Sequence, residues 1–129
     1  MKINFFKYTN SIKLLLSVYI IGFAIGTTIH AISLIKGGFL PYDHIPLWKN
    51  IFWTSLTFVD LIAIIFILTS IKPALLISNL IIISDVIINC SGYDFKICDI
   101  FNDYRVVSQI LFGLYILITT PIILRQRIY

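Results

Sequence analysis

The sequence predicts an all-α, polytopic membrane protein in which four transmembrane helices form an antiparallel bundle. Hydrophobic residues make up 59% of the 129 residues and charged residues only 12%, whereas soluble domains carry about 25% charged residues. The few charges also divide the chain into four long apolar stretches. We expect a single membrane domain, residues 1–129, and the high apolar content excludes a disordered chain.

Each apolar stretch is long enough for one transmembrane helix. A helix rises about 1.5 Å per residue, so about 20 residues cross ~30 Å of hydrocarbon. The strands of a membrane barrel would instead show alternating polarity over about 10 residues. The stretches that contain no charge, or a single aspartate, are 14–35, 50–71, 73–93 and 106–124. We therefore predict helices at about 12–35, 50–71, 73–90 and 106–124.

The connections between the predicted helices differ in length. Lys72-Pro73 predicts a tight turn between the second and third helices, because proline is tolerated at the first position of a helix. The other two connections are longer loops. The first apolar stretch exceeds the ~7–15 residues of a signal-peptide core, so we expect a retained helix.

The distribution of basic residues predicts the orientation. Four helices place both termini and the tight turn on one side of the membrane. That side carries six basic residues and no acidic one: Lys2, Lys7, Lys13, Lys72, Arg125 and Arg127. Because cytoplasmic segments are enriched in Lys and Arg, we expect both termini in the cytoplasm and the protein in a cytoplasmic (inner) membrane. The net charge of +4 then reflects topology, and we expect no nucleic-acid partner.

Five polar side chains interrupt the apolar stretches, and they come from all four helices. An ionisable residue in a span costs about 2.5–3.5 kcal/mol on insertion scales, so each one needs a reason. Counted along the helices, all five fall in the outer half of the membrane, and we predict that they surround one pocket open to the outside. Intramembrane polar residues also serve as interhelical hydrogen-bond partners, which is the alternative reading. The five residues are His30, Asp60, Asp85, Asn89 and Gln109.

Three glycines predict close approach between helices. Gly22 and Gly26 lie four residues apart on the first helix, on the face that also carries His30. Gly113 shares a face of the fourth helix with Gln109. Small residues at this spacing allow helix backbones to approach closely, so we expect helix packing at all three glycines.

The sequence predicts neither a metal site nor a cofactor. One histidine and two aspartates are chemically suitable ligands, but they carry no metal-binding spacing. Cys90 and Cys98 are both expected at the outer surface, where a disulfide and two unpaired thiols are equally compatible with the sequence. Their spacing is not the C-x-x-C of thiol oxidoreductases.

Several segments together resemble a family of small bacterial four-helix integral membrane proteins with no assigned activity. The resemblance covers most of the chain and implies fold and topology only. The segments are Gly22, Gly26-Thr27 and His30; Phe52-Trp53-Thr54-Ser55-Leu56-Thr57 with Asp60; Ser84-Asp85-Val86 with Asn89; and Gln109 with Leu111-Phe112-Gly113.

Three functions are compatible with these residues, and in each the lipid bilayer surrounds the protein. We favour a non-enzymatic protein whose outward-facing pocket of His30, Asp60, Asp85 and Asn89 binds or passes a small polar ligand, an ion or a proton. The second is an interaction protein, such as an assembly factor or a bacteriocin-type immunity protein, that contacts a membrane-protein partner or forms a homo-oligomer. The third is an intramembrane enzyme acting on a lipid or quinone, with His30 and an aspartate as acid and base.

Overall fold

Four long helices make up most of the protein. The computed structural model describes residues 4–91 and 101–126. Each long helix has the length and apolar composition to span a membrane. The predicted fold class and the four spans are therefore confirmed, and the protein is a multi-pass membrane protein. A short 3-10 helix, Phe5–Lys7, precedes α1 Asn10–Gly37, α2 Leu47–Thr69, α3 Ile71–Cys90 and α4 Tyr104–Arg125.

The turn between α2 and α3 differs from the prediction. It is the single extended residue Ser70 (φ −154°, ψ 110°) and not Lys72-Pro73. Pro73 lies instead in the first turn of α3, where its missing N–H has no intrahelical partner to lose. A proline that fits within the first turn of a helix does not mark where that helix begins, and the predicted turn was wrong for this reason.

Each helix packs against its neighbours in sequence, and α4 closes the bundle by a less extensive contact with α1. We call the end with residues 4–9, Ser70 and the end of α4 the terminal end, and the end with residues 38–46 the loop end. Several apolar side chains near the terminal end are almost completely buried; examples are Ile12, Leu16, Ile67 and Ile123. Large apolar side chains remain exposed on all four helices, as expected for surfaces that face lipid.

A neutral hydrogen-bond network joins α1, α3 and α4 in the half of the bundle nearer the terminal end. The Tyr19 hydroxyl lies 3.1 Å from the Ile116 carbonyl oxygen, 3.0 Å from Thr119 Oγ1 and 3.2 Å from Thr120 Oγ1. Asn79 Nδ2 donates to Thr120 Oγ1 at 2.8 Å. We call these residues of the three helices the Tyr19 network. It closes the bundle where α1 and α4 have few direct contacts.

The predicted glycines each lie against a side chain of another helix. A Cβ on Gly22 would collide with the Phe112 ring of α4, which packs edge-to-face on Phe23 at 5.4 Å between ring centroids. A Cβ on Gly113 would lie 3.2 Å from Ile82 of α3. Gly22 therefore makes room for an aromatic ring between α1 and α4, rather than for a second backbone.

We expect the substitution Tyr19→Phe to destabilise the bundle by about 1 kcal/mol, because interhelical hydrogen bonds in membrane proteins contribute roughly 0.6–1.7 kcal/mol. Reversible unfolding in mixed micelles measures the difference. Tyr104→Phe is the matched control, since Tyr104 is 80% exposed, and it should leave stability unchanged. Equal effects of the two substitutions would show that the Tyr19 network does not close the bundle.

Candidate functional site

Two carboxyl groups lie inside the bundle. Asp60 of α2 is 5% exposed and Asp85 of α3 is 7% exposed. The two helices that carry them pack against each other. Ser70 is the only residue between the two helices, so Asp60 lies ten residues before the turn and Asp85 fifteen residues after it. Asp85 is therefore closer to the loop end by about 7 Å, at ~1.5 Å per residue.

Asp85 is the deepest member of a hydrogen-bonded chain. Asn89 Nδ2 donates to Asp85 Oδ1 at 2.8 Å and to Gln109 Oε1 at 2.9 Å. Asn89 and Gln109 are half-buried. Three of the five predicted site residues, from α3 and α4, are thus directly connected. The chain of side chains leads from the bundle interior toward the loop end.

Asp60 packs against α1. A Cβ on Gly26 would lie 2.6 Å from Asp60 Oδ2, so only glycine leaves room for the carboxyl group at this position. Within residues 4–91 and 101–126, the structure gives the Asp60 side chain no hydrogen bond. Gly22 and Gly26, although one motif, therefore face two different helices, α4 and α2.

Neither buried aspartate has a basic partner among residues 4–91 and 101–126. In the part of the chain that the structure describes, the ion pairs are Asp43 with His44 and Asp103 with Arg105, and both lie at the loop end. The lysines and arginines of α1 to α4 lie near helix ends. The pair Asp60–Asp85 is therefore a concentration of acidic groups without a fixed positive charge beside it.

His30 has its hydrogen-bond partner in the loop between α1 and α2. Its Nδ1 lies 3.3 Å from the Tyr42 hydroxyl, in the loop between α1 and α2. Among the described residues no hydrogen bond joins His30 to Asp60 or Asp85. His30 lies one helical turn beyond Gly26 toward the loop end, about 6 Å at ~1.5 Å per residue, which places it near the level of Asp85. A single pocket containing all five predicted residues stays a prediction.

The loop over this region is held by Asn50, which the sequence did not single out. Asn50 is 4% exposed. Its Nδ2 donates to the carbonyl oxygens of Leu40 and Tyr42 at 3.0 and 2.8 Å, and its Oδ1 accepts from the Tyr42 backbone N–H at 3.3 Å. The Tyr42 ring packs edge-to-face on Trp53 at 5.4 Å. Asn50 thereby fixes the loop that supplies the partner of His30.

Three buried hydroxyl groups have no hydrogen-bond partner in the described chain: Thr27 Oγ1, Thr57 Oγ1 and Ser78 Oγ. Thr57 precedes Asp60 by one turn of α2, and Ser78 precedes Asp85 by two turns of α3. Buried polar groups of this kind are commonly satisfied by internal water. The faces that carry the two aspartates therefore carry further polar groups, suited to water or to a small bound species.

Two remaining expectations concern cysteine and metal chemistry. Cys90 is the half-buried last residue of α3, and Cys98 lies outside the described residues, so the disulfide stays a prediction. Within the described residues, no three or more His, Cys, Asp or Glu side chains form a group that could hold a metal ion.

Similarity to known proteins does not identify the function. Comparisons of the chain with protein-family models, curated proteins and solved structures found no match. Membership of a bacterial four-helix family therefore stays a resemblance. Any functional conclusion has to come from the site itself.

We expect Gly26→Ala to lower stability by about 1–3 kcal/mol, the usual cost of overpacking, because the new methyl group meets Asp60 Oδ2. In an Asp60→Ala background the same change should cost little, since the carboxyl group is gone. Both backgrounds share the gain in helix propensity, so a double-mutant cycle isolates the contact. An equal cost in the two backgrounds would contradict the contact.

Proposed function

We propose that this membrane protein binds a proton, or a small cation in its place, at Asp60 and Asp85 and exchanges it with the side of the membrane that the loop end faces. The observation that carries the proposal is the burial of two carboxyl groups on helices that pack against each other, with no basic partner among the described residues. An unpaired charge buried in a protein costs several kcal/mol, and two neighbouring carboxylates also repel each other. Positive charge therefore has to accompany the pair, and a proton supplies it most simply.

The path for exchange runs toward the loop end. Asp85, Asn89 and Gln109 form a continuous chain of polar side chains in that direction. In the opposite direction, the interior holds buried apolar residues such as Leu16 and Ile67, both 0% exposed, together with the neutral Tyr19 network. This difference supports binding and release on one side of the membrane, rather than an open passage across it.

Each predicted site residue has a distinct role in this proposal. Asp60 is the deep acceptor, and Asp85 is the acceptor nearer the loop end. Asn89 and Gln109 orient Asp85 through hydrogen bonds. His30, held by Tyr42, lies below the loop at the entrance, where an imidazole is suited to relay protons.

The available ligands favour a proton over a multivalent metal ion. Among the described residues, Asp60 and Asp85 are the acidic side chains of the site, and no group of three potential metal ligands is formed. A monovalent cation is compatible with two carboxyl groups and the nearby hydroxyl oxygens. The response to sodium concentration at constant pH distinguishes a bound proton from a bound monovalent cation.

The orientation in the membrane is part of the proposal. The basic residues of the terminal end support cytoplasmic termini in a bacterial inner membrane. The loop end, with the entrance to the site, then faces the outside of the cell.

A second candidate, recognition of a membrane partner, is favoured by one observation. Asn50 holds the loop 38–46 in place. Within this loop Phe39 is 81% exposed, and Trp48, in the first turn of α2, is 56% exposed. Fixed, exposed aromatic side chains suit a binding surface, because little conformational freedom is lost on binding. An interface with lipid headgroups also accommodates them.

The proposal is tested by infrared difference spectra of the reconstituted protein between two pH values. We expect a carboxyl C=O stretching signal that Asp60→Asn and Asp85→Asn each reduce and that the double variant abolishes. Asp43→Asn is the matched control, because the Asp43 side chain is 97% exposed, and it should retain the signal of the buried pair.

Varying the sodium concentration at constant pH distinguishes the two ligands. A signal that responds to pH alone supports a proton, and one that sodium also displaces supports a monovalent cation at the same pair. A double variant that titrates like the wild type would refute binding at Asp60 and Asp85. If that variant also keeps its biological activity, the interaction function is favoured.

A further inference from the structure

A cavity lies at the terminal end of the bundle, far from Asp60 and Asp85. Its volume is about 300 Å³, and it opens between the residues before α1 and the turn that joins α2 to α3. None of its lining residues is acidic, and two are lysines that come from opposite walls. The lining residues are Asn4, Lys7, Tyr8, Ser70, Ile71 and Lys72.

Hydrogen bonds between the two walls build the cavity. The Asn4 backbone N–H donates to the Leu68 carbonyl oxygen at 2.9 Å, and Asn4 Nδ2 donates to the Thr69 carbonyl oxygen at 2.7 Å. Tyr8 is 7% exposed. Burial raises the pKa of Tyr8, and a backbone hydrogen bond from Ile71 opposes this shift. The N-terminal segment is therefore packed onto the α2–α3 turn, which holds Lys7 near Lys72.

The chemistry of the cavity is that of an anion site. The Lys7 and Lys72 side chains are exposed. Their ammonium groups are compact positive charges, which bind phosphate groups. Ser70 adds a hydroxyl group that makes no capping hydrogen bond to α3. Lysine, serine and asparagine together offer several hydrogen-bond donors to one group, without an acidic residue to repel it.

The position of the cavity indicates where the anion comes from. It lies at the ends of the membrane-spanning helices, where lipid headgroups are found. Large exposed apolar side chains lie close in sequence to its two lysines: Phe6 precedes Lys7 and is 74% exposed, and Leu76 follows Lys72 by one helical turn and is 62% exposed. A ligand with a charged head and an apolar tail matches these surroundings, because its chains can follow the exposed faces of the helices.

We propose that this cavity binds the phosphate group of an anionic phospholipid through Lys7 and Lys72. The phosphate lies between the two ammonium groups, with Ser70 and Asn4 as further hydrogen-bonding groups. The acyl chains extend along the neighbouring apolar surface. The bound lipid would connect the N-terminal segment to the α2–α3 turn, in addition to the hydrogen bonds of Asn4.

The test uses the full-length protein in nanodiscs of phosphatidylcholine, to which phosphatidylglycerol is added in increasing proportion. Native mass spectrometry of the released protein counts the phosphatidylglycerol molecules that stay bound. A basic residue near a charged membrane contributes about 1 kcal/mol, so Lys7→Gln and Lys72→Gln should each weaken retention roughly fivefold and the double variant roughly 30-fold. Lys36→Gln, at the loop end, is the matched control, and Lys7→Arg with Lys72→Arg should retain binding.

A separate titration with inorganic phosphate distinguishes the source of the anion. Preferential retention of phosphatidylglycerol that millimolar phosphate does not displace supports the lipid. Binding of inorganic phosphate alone, without preference for the anionic lipid, would overturn the lipid and leave a site for a soluble anion. Equal retention by the wild type and the folded double glutamine variant, checked for helix content by circular dichroism, would overturn the site itself.

Discussion

The hydrocarbon of a membrane contains no water, so a polar group within the four helices has to find its partner inside the protein. Several neutral residues meet this requirement, although the buried hydroxyl groups of Thr27, Thr57 and Ser78 have no partner in the described chain. Tyr19 and Asn79 bond to hydroxyl and carbonyl groups of α4, and Asn89 bonds to Gln109. Asp85 accepts a hydrogen bond from the Asn89 amide, and Asp60 has no hydrogen bond among the described residues. Neither carboxyl group therefore has a partner that would balance a negative charge. The proposed binding of a proton or cation follows from this difference.

The same constraint divides the bundle along its axis. Near the terminal end, apolar packing and neutral hydrogen bonds leave no charged group in the interior. Toward the loop end, the interior carries the two aspartates, and Asn50 fixes the loop above them. A stable, closed half thus supports a polar half. The proposed exchange on one side of the membrane needs both halves of the bundle. The polar half would admit the proton or cation, and the closed half would prevent it from crossing the membrane.

The number of helices was predictable because each span must exceed a minimum apolar length, and charges are excluded from it. The polar residues Asp85, Asn89 and Gln109 were also predictable as neighbours, since helical periodicity places the first two on one face. The partner of His30 was not, because Tyr42 belongs to a loop whose path no periodicity specifies. The Tyr19 network was missed because tyrosine and threonine are common in membrane helices, and nothing in their spacing marks a contact between α1 and α4.

The one-residue turn at Ser70 limits how the protein could respond to binding at the proposed site. With so short a connection, α2 and α3 cannot slide past each other, so the axial offset between Asp60 and Asp85 is constant. Binding or release of a proton or cation then changes the electrostatic repulsion between Asp60 and Asp85, while the axial offset between α2 and α3 stays the same. Any relaxation has to come from α1, which touches Asp60 through Gly26, or from α4, which touches Asp85 through Asn89 and Gln109. The α2–α3 hairpin would thus act as the stationary part of the molecule and the two outer helices as its movable parts.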